Sequence, residues 1–381
     1  MTSPLRGAAA IAGIGVAGLG EAPGYSALDL LGRAAHAAIA DAGLRMTDVD
    51  GLFCNTSAHS HPALSVGEYL GLKPSYSESS SIGGSAFLGY ALTAAMALQA
   101  GLCNVALICY GSNQRTALGK LQAKGGSQDY EAPYRPIHPI TSFALATARH
   151  MHEFGTTRDQ LAAVAVSARK WAALNPEAFM RKPMSIDEVL SARMISDPLT
   201  VRDCCLVTDG AGAVVMVRAD RAKDMPQKPA YLLGGGMAHW HMQIDQLEDF
   251  TRTAATQSGP AAFTMAGLKP QDVDVLQIYD AFTINVILAL EDLGFCPKGE
   301  GGRFVEDGRI APGGTLPVNT NGGGLSCCHP GQYGIFTLIE GTRQLRGTAG
   351  ERQIPGAQVV LCHGNGGRLA SQTTALLGAS V

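Results

Sequence analysis

Charge is scarce in this sequence. Only 16% of its 381 residues are Asp, Glu, Lys or Arg, and the formal net charge is −3. A nucleic-acid binder needs a basic face to neutralise phosphates, and attraction to acidic lipid needs a polybasic cluster. Neither is present, so no nucleic-acid and no membrane partner is expected. There is no C-x-x-C among the nine cysteines, and their number is odd, which argues against a disulfide frame or a zinc ribbon. Most of them lie in apolar, strand-like runs, a usage that fits reduced thiols and a cytoplasmic location. A Walker loop is missing, and no G-x-G-x-x-G follows a strand in a convincing unit. The pairs His59/His61 and His239/His241 lack a third ligand, so no metal is expected. The longest uncharged run, residues 79–114, is broken by Gly101 and Asn104. It reads as a buried helix and a buried strand rather than a membrane span. Residues 1–18 lack a signal-peptide cleavage pattern and read as a first buried strand.

Glycine, by contrast, is abundant: 47 residues, well above the usual share of about 7%. The glycines are not periodic. They cluster in apolar surroundings, as at Gly83-Gly84, Gly234-Gly235-Gly236 and Gly322-Gly323-Gly324, where they let backbone approach backbone or ligand closely. The length suggests two to three domains.

The chain also repeats itself. Residues 42–52, AGLRMTDVDGL, align with residues 266–276, AGLKPQDVDVL, with seven of eleven positions identical at an offset of 224. A helix precedes each copy and an apolar strand follows it. A second, weaker correspondence pairs the helix and strand of residues 84–111 with those of residues 331–364. Two similar α/β halves, about 1–225 and 226–381, account for both. Helices alternating with short apolar strands predict a mostly parallel sheet covered on both faces. Residues 115–200 break the pattern and read as a loop excursion capping a site.

Four segments could carry chemistry. In the first, Gly322-Gly323-Gly324 and then His329-Pro330 place an imidazole before a helix, where it could polarise a carbonyl or move a proton. A packed histidine on a glycine turn is the plain alternative. In the second, Cys362 ends a strand beside Gly364; it is either a proton carrier or a buried, inert thiol. His363 alternates with it, so at most one of the two should face a common space. In the third, Tyr279-Asp280 lies where a strand becomes a helix. Asp280 would cap that helix, and Tyr279 would pack or donate to a carbonyl. In the fourth, Ser79-Ser80-Ser81-Ile82-Gly83-Gly84 precedes the helix that the repeat pairs with the one after His329. Equivalent helix starts could face a shared site.

These residues resemble the thiolase superfamily over nearly the whole chain, with sterol-carrier-type thiolases and thiolase-like acyl-CoA proteins the nearest in appearance. Thr208-Asp209-Gly210-Ala211-Gly212-Ala213 looks like the S-D-G-A-A-A segment. Tyr279-Asp280-Ala281-Phe282 stands where thiolases have N-E-A-F and sterol-carrier types H-D-C-F. Gly322 to Gly324 with His329-Pro330 looks like the G-H-P loop, and Cys362-x-Gly364 like C-x-G. Ser81 occupies the place of the nucleophilic cysteine of C-x-S-G.

The resemblance implies a thiolase-like fold of duplicated αβα halves in five layers (αβαβα), with an inserted loop domain. It implies an acyl-CoA thioester as substrate and no permanently bound cofactor. The expected activity is that of an acyltransferase making or cleaving a C–C bond beside the thioester. A retro-aldolase acting on a 3-hydroxyacyl-CoA and a non-catalytic lipid or acyl-CoA carrier are the alternatives. His329 would address the thioester carbonyl, Cys362 would be acid/base toward the α-carbon, and Tyr279 would donate to the 3-oxygen. Ser81 would cap its helix, line the cavity or act as nucleophile. Gly323, Gly324 and Gly364 would offer backbone N–H groups to the thioester oxygen. The implied assembly is a homodimer burying an edge strand at residues 105–110. A small OB-fold/zinc-ribbon subunit is a further possible partner.

Overall fold

The computed structural model describes residues 3–56, 59–119 and 131–381; residues 120–130 of the expected excursion lie outside the described residues. Nine strands make one large sheet: β1 (Ala9–Gly20), β2 (Gly51–Asn55), β3 (Tyr76–Glu78), β4 (Val105–Ser112), β5 (Asp209–Arg218), β6 (Ala230–His239), β7 (Val275–Ile278), β8 (Val359–Gly366) and β9 (Ser371–Gly378). Their order is β3-β2-β4-β5-β1-β6-β9-β8-β7. The helices that matter here are α1 (Ala27–Asp41), α2 (Ala86–Gln99), α3 (Ile140–Phe154), α4 (Arg158–Ala173), α5 (Ala255–Ala266), α6 (Thr283–Asp292) and α7 (Gly334–Arg346).

A narrow seam divides the sheet. β1 and β6 meet over only two pairs, Ala10↔Tyr231 and Ile11↔Ala230. On one side, β2 is parallel to β4, β4 antiparallel to β5, and β5 antiparallel to β1. On the other, β7 is parallel to β8, β8 antiparallel to β9, and β9 antiparallel to β6. Even β3 has a counterpart, a parallel bridge between Leu276 and Val318 beside β7. Helices α2 and α7 pack between the two parts of the sheet, α1 covers the outer face of the first part, and α5 that of the second. The layers therefore run αβαβα.

The duplicated motif explains itself physically. Asp48 and Asp272 each cap a short turn, accepting from the N–H of Arg45 (2.9 Å) and Lys269 (2.8 Å). Asp50 accepts from the N–H groups of Asn104 and Val105, and Asp274 from those of Gln358 and Val359, at 2.8–2.9 Å. Each D-x-D thus starts one strand and ties it to its neighbour. The glycines of β1 and β6 serve close packing. A Cβ on Gly13 would lie 2.1 Å from the Ala38 carbonyl of α1, and one on Gly234 would lie 2.2 Å from the Ala262 carbonyl of α5.

Two expectations need correction. The sheet is mixed, not mostly parallel: five of its eight pairings are antiparallel. The excursion leaves from the end of β4 and returns to the same end of the sheet, where Ser112 pairs with Gly210, so β5 must run back. β8 and β9 form a hairpin. Hydrophobic alternation does not register such reversals. Nor is the strand at residues 105–110 an edge. β4 is bonded on both sides, to β2 and β5, and is buried throughout. The open edge of the first part is β3, which pairs only with β2.

Candidate active site

The first turns of the two central helices touch. A Cβ on Gly334 would lie 1.9 Å from the Gly84 carbonyl in the turn that leads into α2, and the end of β8 closes on the same turn, where a Cβ on Gly366 would lie 1.8 Å from the Ile82 carbonyl. Beside these contacts opens a cavity of about 390 Å³, within the range of small-molecule sites. Ser81, Gly84, Tyr279, His329 and Asn365 line it, together with His138, Pro139 and Phe143 from the excursion. The excursion therefore caps the site, as its sequence implied.

Tyr279 follows the end of β7, its N–H bonded to the His363 carbonyl of β8 at 2.9 Å. Its hydroxyl is 2.7 Å from His329 Nε2. Two contacts hold the histidine's backbone from the S-D-G-A-A-A-like segment. His329 N–H donates to Thr208 Oγ1 at 2.9 Å, and Thr208 N–H returns a bond to the His329 carbonyl at 3.2 Å. Gln114 Nε2 also donates to that carbonyl, and Tyr110 to the carbonyl of Pro330. The loop is thus fixed before any ligand arrives.

Burial sets the charges. It lowers the His329 pKa to about 4, with the carbonyls of His329 itself and Leu206 opposing the shift. The imidazole is neutral at physiological pH. Burial also pushes the Tyr279 phenol well above its ordinary value, with Cys205, Tyr110 and Asp280 adding to the rise. Among the described residues, His329 Nδ1 has no hydrogen-bond partner. With the proton on Nδ1, Nε2 is free to accept from the Tyr279 hydroxyl, which also lies 3.4 Å from the Gly331 carbonyl. Phenol and neutral imidazole then form a pair able to relay a proton.

Asp280 does not cap α6. That helix starts from Phe282 with no side-chain cap. Instead, the Asp280 carboxylate accepts from the Gly324 N–H at 2.5 Å and the Leu325 N–H at 3.4 Å. A Cβ on Gly323, at φ +63°, would lie 2.0 Å from Asp280 Oδ2. The glycine loop wraps a buried carboxylate and so locks the His329 loop to the end of β7. Gly323, Gly324 and Gly364, expected to face the thioester, are absent from the cavity wall. The N–H of Gly324 is already taken, and Gly364 packs against Ser85 and Leu88.

Cys362 is the other correction. Its thiol lies 3.2 Å from the Thr337 carbonyl of α7, fully buried and away from the cavity. Burial pushes its pKa up. Alternation along β8 turns Cys362 one way and His363 and Asn365 the other. Ser81 does line the cavity, but no hydrogen bond to its hydroxyl is found among the described residues. A serine without a base is a poor nucleophile. Ser81→Ala is expected to leave turnover within about threefold of the parent. Loss of all turnover with the fold intact would make Ser81 the nucleophile.

Sequence reasoning missed Asn365, Cys205 and Gln332 on the cavity wall, and treated His239 and His241 only as a weak metal pair. The period of two counted from His363 would have reached Asn365. The other residues meet only through the fold. Among the described residues, no group of three His, Cys, Asp or Glu could hold a metal ion. None of their helices is long and apolar enough to cross a membrane, and all nine cysteines are free.

Three buried groups near the cavity give stability a defined pH dependence. His329 and His363 both have pKa values lowered by burial from 6.5 to about 4. Between those values the unfolded chain holds more protons, so stability rises with pH, by about 1.4 kcal/mol per unit for each histidine. Asp280, raised by burial from 3.8 to about 7, opposes them with one equal increment. The net expectation for these groups is a rise of about 1.4 kcal/mol per pH unit from pH 4 to 6.5. Urea unfolding across that window measures it, and a falling slope would contradict the neutral-histidine assignment.

Known proteins share this architecture. Residues 236–379 match the family model of the thiolase C-terminal domain-like group. An acetyl-CoA acetyltransferase of Methanothermobacter thermautotrophicus is 36% identical, over 94% of this chain and 96% of its own. A steroid side-chain-cleaving aldolase of Thermomonospora curvata is also 36% identical, over 91% of this chain and 92% of its own. The solved Ltp2-ChsH2(DUF35) aldolase superposes with a TM-score of 0.90 at 33% identity, covering 98% of each chain. With its central helix starts meeting at one cavity and full-length relatives at this identity, the chain belongs to the thiolase superfamily of acyl-CoA enzymes.

Proposed function

We propose that the protein is a retro-aldolase that cleaves the C2–C3 bond of a 3-hydroxyacyl-CoA. The observation that carries this reading is the 2.7 Å contact of Tyr279 with His329 in a cavity where, among the described residues, Ser81 has no base and Cys362 is turned away. The 3-hydroxyl proton passes to Tyr279 Oη as the phenol proton passes to His329 Nε2. The C2–C3 bond breaks and its electron pair enters the thioester as an enolate. The proton taken up by the Tyr279–His329 pair is returned to C2, which completes the shortened acyl-CoA and regenerates the pair, and the other fragment leaves as a ketone or aldehyde. No acyl-enzyme is required, so the Ser81 position need not be nucleophilic. The two aldolase relatives support the same assignment.

Thiolytic acyl transfer is the second reading. The acetyltransferase relative favours it, as does the Cys205 thiol on the cavity wall, although burial pushes that thiol well above its ordinary pKa. Product analysis separates the two. Retro-aldol cleavage releases a carbonyl product and an acyl-CoA from 3-hydroxyacyl-CoA without added CoA. Thiolysis consumes free CoA and needs the 3-oxo substrate. CoA-dependent cleavage of 3-oxoacyl-CoA alone would overturn the aldolase reading.

We take residues 1–225 and 226–381 as the two duplicated halves, supported by their matching strand order. We assign a cytoplasmic location, supported by nine free thiols. The assembly we propose is a homodimer through the first half, joined by a small OB-fold/zinc-ribbon subunit like the DUF35 partner of the solved aldolase. Light scattering at micromolar concentration and activity with and without that subunit test these assignments.

A further inference from the structure

Four polar side chains on the β8–β9 hairpin are almost fully buried: His363, Asn365, Gln372 and Thr374 are each at most 4% exposed. They share one face, His363 opposite Thr374 and Asn365 opposite Gln372. The contact of Gln372 with the Leu369 carbonyl sets the direction of their hydrogen bonds. The Leu369 carbonyl can only accept, so the Gln372 atom 3.4 Å from it is the donor Nε2. That Nε2 also donates to Asn365 Oδ1 at 2.8 Å. Gln372 Oε1 must then accept, from His363 Nε2–H at 2.9 Å. This leaves His363 Nδ1 to accept from the Thr374 hydroxyl at 3.0 Å, with Ser258 adding a bond to Thr374 at 3.1 Å.

The chain of bonds ends at the cavity. Asn365 lines it, and its Oδ1 is already occupied by Gln372. Among the described residues its Nδ2 has no hydrogen-bond partner and is not fully buried, and Asn365 lines both this cavity and a small cleft that it shares with His363, Leu369 and Gln372. The network therefore presents an N–H₂ donor, not a carbonyl, to whatever binds. Asn365 stands two residues beyond His363, whose carbonyl holds the backbone of Tyr279. Tyr279 serves the 3-oxygen, so the enolate oxygen formed on C–C cleavage needs a donor of its own. The Gly324 N–H that the sequence suggested is spent on Asp280.

We propose that Asn365 is a catalytic residue whose Nδ2 donates to the thioester oxygen of bound acyl-CoA, with Gln372 and His363 as positioning residues that fix which end of the amide faces substrate. A preorganised donor aimed at developing charge is an effective oxyanion stabiliser. The inference rests on the reading of the cavity as a CoA-thioester site.

The test uses the full chain and two probes of equal length. Propionyl-CoA has the thioester carbonyl but no 3-hydroxyl, so it is not cleaved; S-propyl-CoA lacks the carbonyl. Calorimetry should show the parent preferring propionyl-CoA by about threefold to tenfold. Asn365→Asp keeps an acceptor for Gln372 but turns a second acceptor to the cavity. Gln372→Glu can only accept from Asn365, so the amide must turn over. Both variants should lose the preference while S-propyl-CoA binds as before, and turnover of a 3-hydroxyacyl-CoA should fall about a hundredfold. Should Gln372→Glu not fold, Asn365→Asp and Asn365→Ala give the same reading. Retained preference and turnover in Asn365→Asp would overturn the proposal. Equal weakening of both probes would mark a packing role and overturn it too. If the parent bound neither probe, the CoA-thioester reading itself would fall.

Discussion

Tyr279→Phe is expected to lower turnover about a thousandfold while leaving the fold in place. The phenylalanine ring keeps the packing against Tyr333, whose centroid is 5.8 Å away. What it loses is the hydroxyl 2.7 Å from His329 Nε2. The imidazole is then left buried without its partner, a cost of about 1–3 kcal/mol that should appear as a modest fall in melting temperature. His329→Ala should cost about a hundredfold or more. The double variant should be little worse than Tyr279→Phe alone, because the two residues act as one relay. The acid limb of the pH–rate profile should lie near pH 4, not near 6.5, since burial holds the imidazole neutral down to about 4. Steady-state rates on a 3-hydroxyacyl-CoA check all of this. A Tyr279→Phe enzyme within about threefold of the parent would place the chemistry elsewhere on the cavity wall, with Cys205 the next residue to replace.

The second large effect comes from a methyl group. In Gly84→Ala the new Cβ would lie 2.0 Å from Tyr279 Cε1 and 2.5 Å from Cδ1, far inside van der Waals contact. The ring cannot yield freely, because Tyr333 stands at one side and the His329 bond fixes its tip. Either the start of α2 shifts or Tyr279 leaves its partner. Overpacking of this kind costs about 1–3 kcal/mol, and an ångström of misplacement at a catalytic group costs about a hundredfold in rate. Turnover should therefore fall about a hundredfold with stability reduced by about 1–3 kcal/mol. Gly67→Ala is the matched control, since its Cβ would meet nothing closer than 3.7 Å. If Gly84→Ala behaved like Gly67→Ala, the ring would have room that the structure does not show.

The duplication and its local consequences were legible in the amino-acid order alone. The repeated D-x-D motif is short-range chemistry: carboxylates capping turns and joining adjacent strand starts. It survives as matching letters because each copy does the same local work. The same holds for the apolar strand expected after the first copy, which is Gly51–Asn55, and for His329 and Tyr279, which lie in motifs dense enough to be recognised. Which of the remaining residues face a ligand was settled by the folded chain. Cys362 and Asn365 are three positions apart on one strand, and their directions depend on which face of β8 meets α7. Gly323 and Gly324 look like oxyanion donors as letters, but the N–H of Gly324 goes to a carboxylate distant in sequence, Asp280, and that of Gly323 to Asn321 Oδ1. Whether β4 is an edge depends on where the chain returns after an excursion of about a hundred residues, and hydrophobic alternation carries no record of that. Direction and occupancy of polar groups are set by partners distant along the chain, so they exist only once the chain has folded.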